Sequence, residues 1–468
     1  MFTLLDSKCG RIGKFQFKSK EHETPCFFMT SNFGGGAGDI YRIITYTDLL
    51  ESSQIPVLYN YYYLTEGGTF KVKWTKLIPK FKNLNDFLLF IHNEFVKLGY
   101  CIDKYHNKEL KWNPISLLDS GSGNFLRDEI KSSFDIDVLL KSFDNKISAF
   151  ADFCIQHEIN IMMSMDFAGK YTHKQGERNS HNYNNLSKGL STDLTNNLEL
   201  IGKTLDVLRT KNYDFLAYVP VHGSSAEEYS VFTKNILSLE NSKNKKFDGF
   251  GLGGIANYKE KENSLWNIPD GVNSRIKAGI IVSKAVKAVR NVLDSQSDFR
   301  PIHALGVGSA ELIIPLVNAG ADSFDAHSSW RRATDGSRDN VQYVLDKTKS
   351  GSFSQYLVPL LDDDESIISQ HTEKVLKYIP LNKLPDTIFC DCEICRKYSI
   401  SEIKSLYSNN GEDFNFAKIL CYVHAILQHQ KICSRLYKDL KKGDSVKDLV
   451  NEISDQSLKH DLLIIINS

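Results

Sequence analysis

Residues 302–326 of the 468-residue chain read IHALGVGSAELIIPLVNAGADSFDA. A short apolar run (302–307) closes on the Gly-x-Gly turn Gly306-Val307-Gly308. A helical pattern over 309–319 follows, with Ser309 at a plausible N-cap and Glu311 in the first turn. A second short apolar run, 322–326, comes directly after it and carries Asp325. Strand, turn, helix, strand in so short a span is the unit from which parallel sheets are built.

Working outward, the same rhythm recurs. Apolar runs at 26–30, 56–63, 115–118, 159–165, 215–221 and 247–252 bring the total to eight. Each is short and largely apolar, as a parallel strand buried on both faces requires. Between them, 136–157 (IDVLLKSFDNKISAFADFCIQH), 198–210 and 274–293 place apolar residues at three and four spacing. Eight such repeats predict an α/β fold, a (β/α)8 TIM barrel. A doubly wound open sheet is the main alternative. The glycines of 34–38 follow the first strand run, but they are not GxGxxG with a helix directly behind. The expected division is a catalytic barrel over 1–345, a polar connector over 346–388, and a zinc-binding and C-terminal helical subdomain over 389–468.

Hydrophobic content of 41% supports a sizeable core, and a formal net charge of zero announces no nucleic-acid partner by itself. Local basic runs do exist: Lys71, Lys73, Lys76, Lys80 and Lys82; Lys243, Lys245 and Lys246; and Arg435, Lys438, Lys441 and Lys442. No apolar stretch reaches the roughly 18 residues that span a bilayer. Residues 1–11 lack the pattern of a signal peptide, so a cytoplasmic protein without a membrane partner is expected. Three of the nine cysteines crowd together as Cys390, Cys392 and Cys395. In a reducing compartment that spacing points to metal rather than to disulfides. A tetrahedral zinc site needs a fourth ligand. His424, on the helical pattern 416–436, is the best candidate, with His429 the competitor. Four protein ligands leave no place for a reactive water, so the zinc is expected to be structural.

Barrel enzymes carry their chemistry at the C-terminal ends of strands. Here those ends carry Asp119-Ser120-Gly121, Met165-Asp166, Val221-His222-Gly223, Leu252-Gly253-Gly254, Leu305-Gly306-Val307-Gly308 and Phe324-Asp325. A carboxylate between apolar neighbours is costly to bury without a partner. One alone can be a helix cap, but three converging on one mouth suggest a site. They could bind a divalent metal or perform paired acid/base and nucleophilic work. Spacing does not choose between these.

These motifs resemble, in order, those of the tRNA-guanine transglycosylases and of their relatives, the DNA 7-deazaguanine transglycosylases of bacterial modification islands and phages. The resemblance runs from about residue 24 to 429. It rests on Thr24-Pro25-Cys26-Phe27-Phe28-Met29, Asp119-Ser120-Gly121, Leu252-Gly253-Gly254, Leu305-Gly306-Val307-Gly308, Phe324-Asp325 and the cysteine cluster with its distant His. It implies Asp325 as the nucleophile at C1′ and Asp119 as acid/base. It implies a base pocket of Ser120, Asp166, His222, Gly223, Leu252, Gly253, Gly254 and Leu305, and zinc on Cys390, Cys392, Cys395 and His424. Three departures stand out. His222 replaces a Gln that many members carry. Asp119-Ser120-Gly121 continues as Ser122-Gly123-Asn124-Phe125 instead of Gly and an aromatic. In the loop after the last strand, Arg331, Ala333 and Gly336 match while Thr334 stands where a second Arg is expected. The departures fall on RNA recognition more than on chemistry, so DNA is the favoured polymer and tRNA the second choice. Arg331, Arg332 and the lysine runs would then hold the backbone. A free 7-deazaguanine base is the implied co-substrate. A partner protein of a modification system and a homodimer are both compatible. Readings from other classes are a non-catalytic zinc-containing partner subunit, a zinc-stabilised nucleic-acid-binding module and a metal-dependent hydrolase on the same barrel.

Overall fold

The computed structural model describes residues 1–18, 20–31, 55–65, 80–84, 113–130, 136–167, 194–256, 263–308, 310–326, 392–409, 411–453 and 456–468, with a few residues within 86–93, 356–357 and 377–378. The chain opens with three strands, β1 (Phe2–Asp6), β2 (Ile12–Phe17) and β3 (Lys20–Thr24), which pair as an antiparallel sheet. Eight strands then close into a parallel barrel: β4 (Cys26–Ser31), β5 (Val57–Asn60), β6 (Ser116–Asp119), β7 (Ile161–Met163), β8 (Leu216–Val221), β9 (Gly249–Leu252), β10 (Ile302–Ala304) and β11 (Ser323–Ala326). The ring follows chain order, and β11 pairs back onto β4 with Asp325 opposite Phe28. The eight apolar runs are these eight strands, and the open-sheet alternative is excluded by closure.

Helices α1 (Tyr61–Thr65), α2 (Ser122–Ile130), α3 (Ile136–Gln156), α4 (Leu194–Thr210), α5 (Ala226–Lys243), α6 (Ser274–Asp294) and α7 (Ala310–Ala319) lie between the strands. One difference from expectation is in the second run. Its strand stops at Asn60, and the aromatic residues after it form α1. Tyr61 is drawn into that helix by rings waiting on α2 and α3, with Phe150 at 4.7 Å and Phe125 at 5.9 Å. Tertiary packing overrides the strand propensity of three successive tyrosines.

The side chains separate into two apolar layers, as the two-residue period of a strand demands. Phe27, Met29, Leu118, Val219, Phe250, Leu252 and Phe324 face outward and join the helices in the larger core. Phe28, Leu58, Leu117, Ile161, Met163 and Tyr218 face inward, where Phe15 and Phe17 of β2 close the end at which the strands begin. The lower end is thereby plugged with apolar side chains, which leaves the upper end for polar ones.

Towards the C-terminus come α8 (Glu393–Lys397), α9 (Ile400–Ser408), α10 (Glu412–Lys442), α11 (Val446–Asn451) and α12 (Gln456–Ile466). The pattern at 416–436 is the centre of α10, which lies along β4. Tyr422 donates from its hydroxyl to Thr30 O at 2.8 Å, and His429 stacks on Phe27 with ring centroids 4.5 Å apart. Helix α12 packs on α6 and α7. No described helix is long and apolar enough to cross a membrane.

Candidate active site

The inward positions at the upper ends of the strands carry the polar residues. Asn60 ends β5, Asp119 ends β6, Asp166 follows β7, His222 follows β8, and Asp325 is the last inward residue of β11. Period two turns Asn60, Asp119, His222 and Asp325 into the mouth, Asp166 enters from the segment after β7, and parallel pairing sets the strand ends side by side.

Asp119 is a strongly perturbed acid. Its carboxyl is pushed up to about 7, first by burial and then by the negative charges of Asp166 and Asp325, against the lowering pull of bonds from Gly121 and Asn60. Loss of water and two like charges both disfavour ionisation. Gly121 makes the turn possible with φ of +68°, and a Cβ there would sit 2.5 Å from Asn60 Oδ1. Ser120 faces the same turn, its hydroxyl 2.5 Å from that of Ser122, which in turn accepts from the Asp166 N–H at 3.1 Å.

Asp166 and His222 are joined side chain to side chain, His222 donating from Nε2 to Asp166 Oδ2. His222 Nδ1 is buried without a hydrogen-bond partner among the described residues. The ring packs against Gly253, where a Cβ would stand 2.2 Å from His222 Cε1. Only a residue without a side chain admits it. The peptide of Gly253 is itself held, its N–H by Val221 O at 3.0 Å and its oxygen by the Tyr229 hydroxyl at 2.6 Å. Leu252 points outward into the helix layer and shows the mouth only its backbone, whose oxygen accepts from Leu305 N at 3.1 Å. Leu305 packs on the inner apolar layer and forms part of the floor. Gly223 backs onto Tyr229, which would be 2.8 Å from a Cβ there.

Asp325 is 5% exposed. Its Oδ1 accepts from the Gly306 N–H at 2.9 Å and lies 3.2 Å from His303 Nε2. Its backbone oxygen accepts from Gly308 N at 2.6 Å. The Gly-Val-Gly turn thus grips the residue from both sides. Sequence reasoning missed Asn60, Ser122 and His303. Counting by two along runs 56–63 and 302–307 would have placed Asn60 and His303 inward, as polar residues in otherwise apolar runs.

Of the metal candidates, Cys392, Cys395 and His424 offer ligand atoms within 4.8 Å of one another, a group that could hold a metal ion. His424 Nδ1 lies 3.2 Å from Cys392 Sγ and 3.4 Å from Cys395 Sγ. A tetrahedral zinc would set nitrogen and sulfur ligands roughly 3.5 Å apart, so the donor set fits. His429 is not part of the group, and its ring packs against Phe27 instead. Cys390, Arg331 and Arg332 lie outside the described residues.

No curated protein gives a significant match to the chain. A family model does match: queuine tRNA-ribosyltransferase, over residues 219–457, just over half of the chain. The matched segment includes His222, Leu252–Gly254, Leu305, Asp325 and the metal group, while Asp119 and Asp166 lie before it. With a closed eight-stranded barrel, acids at its upper mouth and a Cys/His metal group, the chain belongs to the queuine tRNA-ribosyltransferase family, whose membership suggests guanine transglycosylase activity.

Proposed function

We propose that the protein is a base-exchange transglycosylase that replaces guanine in DNA with a 7-deazaguanine of the preQ0 kind, through a covalent Asp-glycosyl intermediate. The observation that carries the reading is the three-acid mouth in which Asp119, poised at about 7, sits in the field of Asp325 and Asp166. A group poised near neutrality can give a proton and take one back.

In the first half-reaction, Asp325 Oδ2 attacks C1′ and the C1′–N9 bond breaks. The bond's electrons leave with the base, and Asp119 supplies the proton that makes it neutral guanine. In the second, the ring nitrogen of the incoming base attacks C1′ and expels the Asp325 carboxylate, while its N–H proton returns to Asp119. The covalent bond keeps the sugar in place while one base leaves and another enters.

The pocket residues divide the remaining work. Asp166, steadied by His222, accepts from the N–H groups of the guanine edge, and the Gly254 amide donates to its oxygen. Gly253 makes room for the His222 ring and Gly223 for Tyr229, which sets the pocket's shape, while Ser120 lines the wall and Leu305 covers one face. Zinc on Cys390, Cys392, Cys395 and His424 supplies structural cross-linking and takes no part in bond making. The barrel of residues 1–345 would carry the chemistry and residues 389–468 the metal, joined by 346–388, in a cytoplasmic protein.

DNA is favoured because the arginine-bearing loop around Arg331 and Arg332 departs from the tRNA pattern at Thr334. A duplex target base must be flipped out to reach the mouth, and contacts from Arg331, Arg332 and the lysine runs would make binding salt-sensitive. The tRNA reading has one observation in its favour, the description of the matching family model. Exchange of radiolabelled guanine or 7-deazaguanine into duplex DNA and into bulk tRNA, with wild type and Asp325→Ala, tests both. Label in DNA alone, lost in the variant, is expected. Label in tRNA alone would overturn the polymer and keep the chemistry.

A further inference from the structure

Below the mouth, Ser323, His303 and Asp325 form one connected line of side chains on β10 and β11. His303 is fully buried, with its ring edge-on to Phe28 at 5.3 Å and 88°. Its Nδ1 lies 2.8 Å from Ser323 Oγ and its Nε2 3.2 Å from Asp325 Oδ1. An ionised carboxylate only accepts. Nε2 therefore carries the hydrogen and donates, and in the neutral ring Nδ1 is left to accept from the Ser323 hydroxyl. The serine fixes the tautomer that the carboxylate needs, as outer partners of active-site histidines commonly do.

The consequence lies in how the two carboxylate oxygens differ. Oδ1 has two donors, His303 Nε2–H and Gly306 N–H. Oδ2 has no hydrogen-bond partner among the described residues. We propose that the Ser323–His303 pair is the positioning device of Asp325, anchoring Oδ1 so that Oδ2 alone faces the reacting carbon. The inference rests on the reading of Asp325 as nucleophile. His303 is fully buried and reaches the site only through Asp325, so it is a positioning residue. A histidine that merely filled the core would be replaceable by any side chain of its shape.

The test compares His303→Phe, His303→Gln and Ser323→Ala with wild type and Asp325→Ala in exchange of radiolabelled guanine into duplex DNA and bulk tRNA. Phe keeps the bulk and removes both nitrogens. Gln restores one N–H donor at the same reach. The Phe variant is expected to lose kcat by roughly 10- to 100-fold, the usual worth of a donor to a charged group, with KM within about twofold. Gln should recover most of that loss. Ser323→Ala should lose roughly 3- to 10-fold in kcat alone. Wild-type kcat in the Phe variant overturns the inference, and so does unchanged kcat in Ser323→Ala, which retains the ring even if the Phe variant fails to fold. If wild type exchanges no label, or Asp325→Ala exchanges it fully, the reading of the nucleophile fails and the relay falls with it. Loss in Asp325→Ala beside an unimpaired Phe variant sinks the relay alone.

Discussion

Asn60 donates from Nδ2 to Asp119 Oδ2 at 2.8 Å, across two strands in which these residues are direct register partners. Both are the last inward positions of their strands, so the contact is dictated by register. The bond favours the charged carboxylate, yet burial and the charges of Asp166 and Asp325 outweigh it and leave Asp119 at about 7. Removing the donor leaves only its bond from Gly121 on the lowering side. Asn60→Leu should therefore move the alkaline limb of the exchange rate to higher pH, because the acid form needed to expel guanine persists further. Rates measured from pH 6 to 9.5 would show it, and an unmoved limb would mean that the limb belongs to another group.

The same perturbation has a cost in stability. Unfolded, Asp119 titrates near 3.8; folded, at about 7. Between those values the native state holds a proton that the unfolded chain has released. The stability this group contributes is thus fully present below pH 3.8 and is lost as pH rises through about 7. At pH 8 the folded protein carries a buried charge at a cost of a few kcal/mol. Asp119→Asn should raise Tm most at pH 8, raise it less at pH 5, where only part of the loss has accrued, and abolish exchange. Equal melting shifts at both pH values would show that folded Asp119 does not titrate between them.

Much of this architecture is written in residue periodicity. Helix 136–157 is observed as Ile136–Gln156 and 274–293 as Ser274–Asp294, because amphipathic spacing is local and survives without context. The strand-end acids and His222 were legible for the same reason: they break apolar runs at fixed places. The N-terminal sheet was not. In β2, IGKFQF, Lys14 and Gln16 interrupt the buried residues, and in β3, KEHET, only Thr24 is buried, so polar residues dilute the signal. His303 was hidden in the opposite way, as a single polar residue inside a run that otherwise reads as core. Its role appears only when β10 and β11 are set side by side.

Gly253 separates pocket shape from pocket charge. A Cβ there would stand 2.2 Å from His222 Cε1, and the ring cannot retreat without loosening its bond to Asp166. Gly253→Ala should raise KM for the base by about tenfold or more, since a misplaced polar pair loses its hydrogen bonds, with a smaller effect on kcat. Isothermal titration with free guanine would read the change directly. Unaltered affinity would place the base elsewhere in the mouth.

Below the barrel mouth, Asp322 is fully buried and takes Arg11 Nε at 2.6 Å, Arg290 at 3.0 Å and the Ile302 N–H at 2.8 Å. It ties the N-terminal sheet, α6 and β10 together. Asp322→Ala leaves two guanidinium groups facing each other without a counter-charge, at a cost of about 3–5 kcal/mol. Denaturant unfolding should show that loss. A cost below about 1 kcal/mol would mean that water replaces the carboxylate.

The metal group can be tested for the kind of work it does. Cys392 caps α8 and His424 sits on α10, the helix that lies along β4. An ion held there would join two helices. Cys392→Ser and His424→Ala should reduce bound zinc from about one per chain towards none, measured by mass spectrometry of the metal, and lower Tm by several degrees. Exchange per folded molecule, assayed well below the melting transition, should stay within about twofold of wild type, since four protein ligands leave no open position for a water. A zinc-free variant that keeps its fold yet loses exchange outright would move the metal from scaffold to chemistry and favour a metal-dependent reaction on this barrel.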